Sequence, residues 1–190
     1  MPQKRGSGKG SSSGLWFITD VSLRTKIEGA IETISFLYLF GKKFEASSGV
    51  AKEIRRVIIL YSASIIEAAL LFIYKRKGFA MEKLNYTNVY PLPKEYQFES
   101  NSVLVLAKQI SKSKQDRDLM LDSLLKFFSD KRIIKTSLKE RIDRVRNVRN
   151  TFHLSKSRKG VQCGVTSVTS SLRAAVNTIL AVEAYLEKNR

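Results

Sequence analysis

Four residues in the last third of the chain carry side chains suited to handling a phosphate: Arg146, Arg149, Asn150 and His153. A guanidinium offers a permanent, forked positive charge that matches phosphate oxygens, and an imidazole exchanges a proton near neutral pH. On a helix advancing about 100° per residue, the four fall within about 100° of arc, beside an apolar arc of Ile142, Val145 and Phe152. His153 is the single histidine of the chain. The same spacing also suits a plainer arrangement. In it both arginines are solvated charges, and His153 ends a helix where its charge complements the helix dipole.

The surroundings are strongly basic. Between Lys131 and Lys159 there are eleven Lys and Arg against two acidic residues, a net +9 out of the whole chain's +17. Each cation that neutralises a phosphate releases counterions and adds affinity, so a polyanion partner follows, with nucleic acid ahead of an anionic membrane surface. Lys139, Arg144, Lys156, Arg158 and Lys159 are the cations expected to hold an RNA backbone beside the stripe. A carboxylate, Glu67, stands amid Ile65, Ile66, Ala68 and Leu70, where it should not stay buried unpaired. Pairing with the Arg146, Arg149 and His153 stripe is one expectation; an ordinary structural ion pair or an exposed glutamate is the other.

The run RVRNVRNTFHLSKSR, in a basic helical chain with an earlier apolar helix bearing SIIEAALL, resembles the HEPN superfamily of RNA-processing helical proteins. That family is recognised by an Arg followed, after four to six residues, by a His, usually with a polar residue directly after the Arg. Arg146 with Asn147 and His153 meets this with six residues between. Arg149 with Asn150 has the commoner Arg-Asn start but leaves three residues before His153, so either arginine is a candidate for the motif position. The motif covers eight residues, and the helical layout covers most of the chain after residue 20.

The resemblance implies a bundle of four or five helices, often a homodimer with two motifs across a shared cleft. It also implies a metal-independent endoribonuclease with no cofactor. In that chemistry a ribose 2′-hydroxyl attacks the adjacent phosphate, His153 serves as base or acid, and Arg146 or Arg149 stabilises the charged transition state. Glu67 and Asn150 would complete the catalytic set. A toxin or antiviral-defence effector, with an antitoxin or defence-complex protein as partner, is the expected biological setting. A non-catalytic RNA-binding or partner-binding helical module is the alternative, since many such relatives do not cut RNA.

The elements that must position these residues read as an all-α, irregular bundle of about five helices. Residues 1–14 form a basic Gly/Ser tail, and residues 15–190 one HEPN-like domain. Apolar spacing and breakers predict helices over Ser22–Glu45, Val50–Arg76, Asp116–Ser129, Thr136–Phe152 and Thr166–Lys188. Ser137 with Glu140 forms a capping-box pattern for the fourth. Residues 79–115 read as a long insertion, irregular or containing a small hairpin of Tyr96–Phe98 and Val103–Leu106 across Ser100–Ser102. Its Tyr86, Tyr90, Tyr96 and Phe98 would stack on unpaired bases or, more simply, pack on the bundle.

Several chemistries are disfavoured. One cysteine, Cys163, excludes an internal disulfide, and with one histidine no Cys/His zinc site can be assembled, so no metal site is expected. Cys163 is expected to be an inert small residue rather than a nucleophile. No apolar run of signal-peptide length follows the basic start, and a cytoplasmic location is expected. Val57–Tyr74 approaches the length of a membrane span, but Glu67 would be costly in lipid, so a buried central helix is preferred and the membrane reading kept as a third alternative.

Overall fold

A computed structural model describes residues 14–91, 105–115, 118–151 and 163–189. It contains five helices: α1 (Val21–Gly41), α2 (Gly49–Arg76), α3 (Leu121–Asp130), α4 (Thr136–Asn150) and α5 (Val165–Lys188). Between α2 and α3 stands an antiparallel pair of strands, β1 (Glu82–Pro91) and β2 (Val105–Ser113). The chain is therefore mostly helical but not all-α.

α2 is the hub. It packs against α1, α3, α4 and α5, and α5 also packs on α4. Its Ile58, Ile59, Ile66, Leu70 and Ile73 are almost wholly buried, as are Leu124, Leu125 and Phe128 of α3, Ile142 of α4 and Val182 of α5. Each such side chain contributes about 1.5–3 kcal/mol of burial free energy. α2 and α5 meet through small residues: Ser171 Oγ donates to Val168 O at 2.8 Å and lies 3.5 Å from Ser62 Oγ, and both serines are fully buried. The hydroxyls are satisfied within their own helices, which is what lets polar atoms sit in this seam.

Both α2 and α5 are long and apolar enough to cross a membrane, with 61% and 33% of their most apolar windows buried inside the fold. α2 is thus largely covered by protein, as a central core helix would be.

Local signals account for the starts of α1 and α2 and for the end of α2. Asp20 Oδ1 accepts from Leu23 N at 3.0 Å and Ser48 Oγ from Ala51 N at 3.1 Å, capping α1 and α2. α2 ends at Gly78, whose φ of +60° suits a residue without a Cβ; its N–H donates to Lys75 O and that of Phe79 to Tyr74 O.

Three sequence expectations need correction. The capping box of Ser137 and Glu140 does not form: the N-cap of α4 is Lys135, which gives no side-chain cap, because the buried Ile134 sets the boundary earlier and leaves Ser137 inside the first turn. α3 begins at Leu121 rather than at Asp116, which lies outside the described residues. The hairpin is longer and differently placed. Its strands occupy 82–91 and 105–113, a register shift falls between Thr87 and Tyr90, and Asn88 has a φ of +53°. The expected strand at Tyr96–Phe98 lies outside the described residues. Tyr86 and Tyr90 are exposed rather than packed on the bundle.

At its base the hairpin is tied to the bundle. Met81 N donates to Tyr74 Oη at 2.7 Å, and Tyr74, Phe79, Phe127 and Phe128 form a tilted and edge-to-face ring cluster.

Candidate functional site

α4 is amphipathic in the ordinary way, with Ile142 and Val145 in the core. Because Arg146 and Arg149 follow Ile142 and Val145 by four residues, they emerge at the edge of that buried face, toward α3 and α2. Each is met by carboxylate.

Arg149 Nη1 donates to Glu67 Oε2 at 2.9 Å, and Glu67 Oε1 accepts from Leu121 N at 3.2 Å. Glu67 thus joins three helices. It rises from α2, holds an arginine of α4, and satisfies an N–H at the start of α3, whose own N-cap, Met120, supplies no side-chain acceptor. This explains how a carboxylate tolerates Ile65 and Ile66 beside it. The pair is partly open, with side-chain exposures of 35% for Arg149 and 24% for Glu67.

Arg146 is gripped on both terminal nitrogens. Nη1 meets Asp122 of α3, and Nη2 reaches Asp143 Oδ1 at 3.2 Å one turn back on α4. Its Nε is buried with no hydrogen-bond partner among the described residues. Counting the two arginines against Glu67, Asp122 and Asp143 gives 2 − 3, or −1, for the cluster. A phosphate approaching these guanidiniums meets carboxylates already in place.

The structure therefore brings Glu67, Arg146 and Arg149 into one three-helix junction. Asn150 is the exposed last residue of α4. His153, Lys156, Arg158 and Lys159 lie outside the described residues. Lys139 and Arg144 diverge. Lys139 lines a small cavity of about 250 Å³ with Asp122, Asp143 and Arg146, whereas Arg144 lines another, of about 450 Å³, with Asn147, Ser167 and Ser170 between α4 and α5. Lys139 and Arg144, the two expected backbone-holding cations among the described residues, therefore face different sides of α4.

Sequence reasoning missed Asp122 and Asp143. The i, i+3 spacing of Asp143 and Arg146 was available as a signal; nothing in the sequence pointed to Asp122, which reaches α4 only through the fold.

Cys163 is buried, and burial pushes its thiol above the ordinary range, although a hydrogen bond from Arg56 and the charges of Arg56 and Arg55 act the other way. Its carbonyl accepts from Arg55 Nε at 2.6 Å, and Arg55 Nη2 also ties Ala46 O at 2.7 Å. The residue is a packing and backbone anchor. Among the described residues no group of His, Cys, Asp and Glu could hold a metal ion. No family model, curated protein or solved structure matches the chain.

Proposed function

We propose that this chain is an RNA-directed helical protein of HEPN type, acting as a metal-independent endoribonuclease. The observation that carries the reading is the junction around Arg149. α4 delivers this arginine, four residues before His153, to a partly open edge where Glu67 fixes one terminal nitrogen. The guanidinium has five N–H donors, so a forked group held by one edge can still face a phosphate with the other. His153 would take the 2′-hydroxyl proton and return one to the leaving 5′-oxygen, and Arg149, or Arg146 once released from Asp122, would stabilise the negative charge on phosphorus-bound oxygen. The 2′-hydroxyl requirement makes RNA, not DNA, the substrate. A homodimer, a cytoplasmic location and a toxin or defence role with a protein partner belong to the same proposal.

A second reading, a non-catalytic RNA-binding module, is favoured by one observation: both arginines of the candidate motif are engaged by carboxylates. The two part on incubation of the protein and its His153→Ala variant with a mixed RNA pool in EDTA. Cleavage by the parent alone, leaving 2′,3′-cyclic phosphate ends, establishes the nuclease. Equal, salt-sensitive binding by both without cleavage establishes the module.

A further inference from the structure

The last turns of α1 read Phe36, Leu37, Tyr38, Leu39 and Phe40, five consecutive apolar residues. On a helix such a run is apolar on every side, and a helix apolar all round is normally enclosed by others. α1 packs chiefly on α2, which covers one side only. Phe36 and Leu39 are 64% and 63% exposed, and Tyr38, Phe40 and Phe44 are exposed as well. At about 100° per residue, Leu39, Phe36 and Phe40 span about 100° of arc on the side of α1 away from its buried Ile27 and Ile34.

The rings are held as a unit. Phe36 and Phe40 stack at 5.8 Å between centroids, and Phe44, just past the helix end, meets Phe40 edge-on at 5.1 Å. Lys42 Nζ lies 4.7 Å from the centre of the Tyr38 ring and Lys43 Nζ 6.0 Å from that of Phe40, so the uncovered rings carry ammonium groups at their border. The acids of α1, Glu28 and Glu32, lie a turn or more nearer its start. Across the α1–α2 turn stand the exposed Val50 and Lys52 at the start of α2. Over residues 36–56, Lys42, Lys43, Lys52, Arg55 and Arg56 against Glu45 and Glu53 give 5 − 2, or +3.

We propose that this corner inserts into the surface of an anionic lipid bilayer. Phe36, Leu39 and Phe40 enter the boundary between headgroups and acyl chains, while Lys42 and Lys43 stay at the lipid phosphates. Protruding rings and a leucine at a helix end need apolar surroundings without a fitted partner surface, which acyl chains supply. The adjoining cations need negative charge, which the headgroups supply. A second copy of the chain is disfavoured by the same charge, since a twofold contact would set one net-positive corner against another. The chain lies on the membrane in this arrangement and does not cross it: α2, the most apolar of the described helices, stays largely in the core. The corner shares no residue with the junction of Glu67, Arg146 and Arg149, and stands whether or not the chain cuts RNA.

The test is co-sedimentation of the full chain with vesicles of phosphatidylcholine, alone or with about 30% phosphatidylglycerol, at low and high salt. The variants are Phe36→Ser/Leu39→Ser, which keeps the net charge of +17, Lys42→Glu/Lys43→Glu, Leu39→Trp and His153→Ala. The parent binds the anionic vesicles, more weakly at high salt, and binds phosphatidylcholine alone poorly. Each double variant weakens binding at least about tenfold, with circular dichroism and unfolding temperature unchanged because all four positions are exposed. His153→Ala binds like the parent. In Leu39→Trp the emission gained over that of Trp16 shifts to the blue on adding anionic vesicles, a readout that does not depend on the serine variant folding. Equal binding by the serine variant and the parent means that the chain's charge adheres without insertion and overturns the proposal, as does an unshifted Leu39→Trp emission. Absence of vesicle binding by the parent also overturns it; if the serine variant then halves the mass seen by light scattering, the face belongs to a second copy.

Discussion

Replacing Glu67 by alanine removes two interactions at once, and the structure sets the size of each. Loss of the acceptor for Leu121 N exposes the uncapped start of α3, a change that costs about 1 kcal/mol. Loss of the partner of Arg149 removes a charge-assisted hydrogen bond at 2.9 Å that is partly open to water, worth about 1–2 kcal/mol. Glu67→Ala should therefore cost about 2–3 kcal/mol, which lowers the melting temperature by roughly 4–12 °C for a chain of this size. Glu67→Gln keeps an acceptor for Leu121 N and loses the charge, so about 1 kcal/mol is expected. Arg149→Met should cost about as much, and the double variant Glu67→Ala/Arg149→Met should show a coupling of about 0.5–1.5 kcal/mol. The assay is urea unfolding followed by far-UV circular dichroism at low and high salt. A coupling below about 0.3 kcal/mol, or a Glu67→Ala cost no larger than that of Glu67→Gln, would refute the view that this carboxylate binds three helices together.

Asp122 is exposed and its pairing with Arg146 is at the surface, so Asp122→Asn should change stability by less than about 0.5 kcal/mol. If Arg146 meets phosphate, the same change should strengthen RNA binding, as read by filter binding across a salt series; unchanged affinity would place Arg146 in a structural role only. Burial favours the neutral thiol of Cys163 in the folded state, so the stability linked to it is complete below the ordinary thiol range and is lost as pH rises through its raised pKa. Alkylation by iodoacetamide at pH 8 should accordingly be slow in the native protein and fast in urea. Replacing residues 83–112 by a short Gly/Ser link should leave helical content intact, since the strands pair mainly with each other; collapse of the helical signal would show that the hairpin supports the bundle. Light scattering should give twice the monomer mass, and a monomer at all concentrations would remove the shared cleft from the proposal.

Helices were legible where apolar residues recur at helical spacing, on one face of α5 and on nearly every face of α2 past Val57. Ile54, Ile58, Ile65 and Ile73 mark the buried side of α2, and Val168, Ala175 and Val182 that of α5. The strands were not legible, because β2 carries Lys108, Gln109, Ser111 and Lys112 with both faces largely exposed, and no period-two burial pattern exists to be read. The start of α3 was misplaced because its cap comes from Glu67, a residue on another helix. Within the candidate site, types and spacing pointed to Arg146, Arg149 and Glu67. The acid that holds Arg146 from α3 depends on helix placement, which no local pattern encodes.

The central place of α2 also has a consequence for synthesis of the chain. Its seam with α5 joins Ser62 to Ser171, residues 109 positions apart. At a ribosomal rate of 5–20 residues per second, about 5–20 s separate emergence of the two helices. Throughout that interval the most apolar segment of the protein lacks its principal cover, and its unsheltered isoleucines are a target for holdase chaperones and a nucleus for aggregation. A nascent chain arrested before Val165 should be captured by such chaperones and released once the last helix is complete.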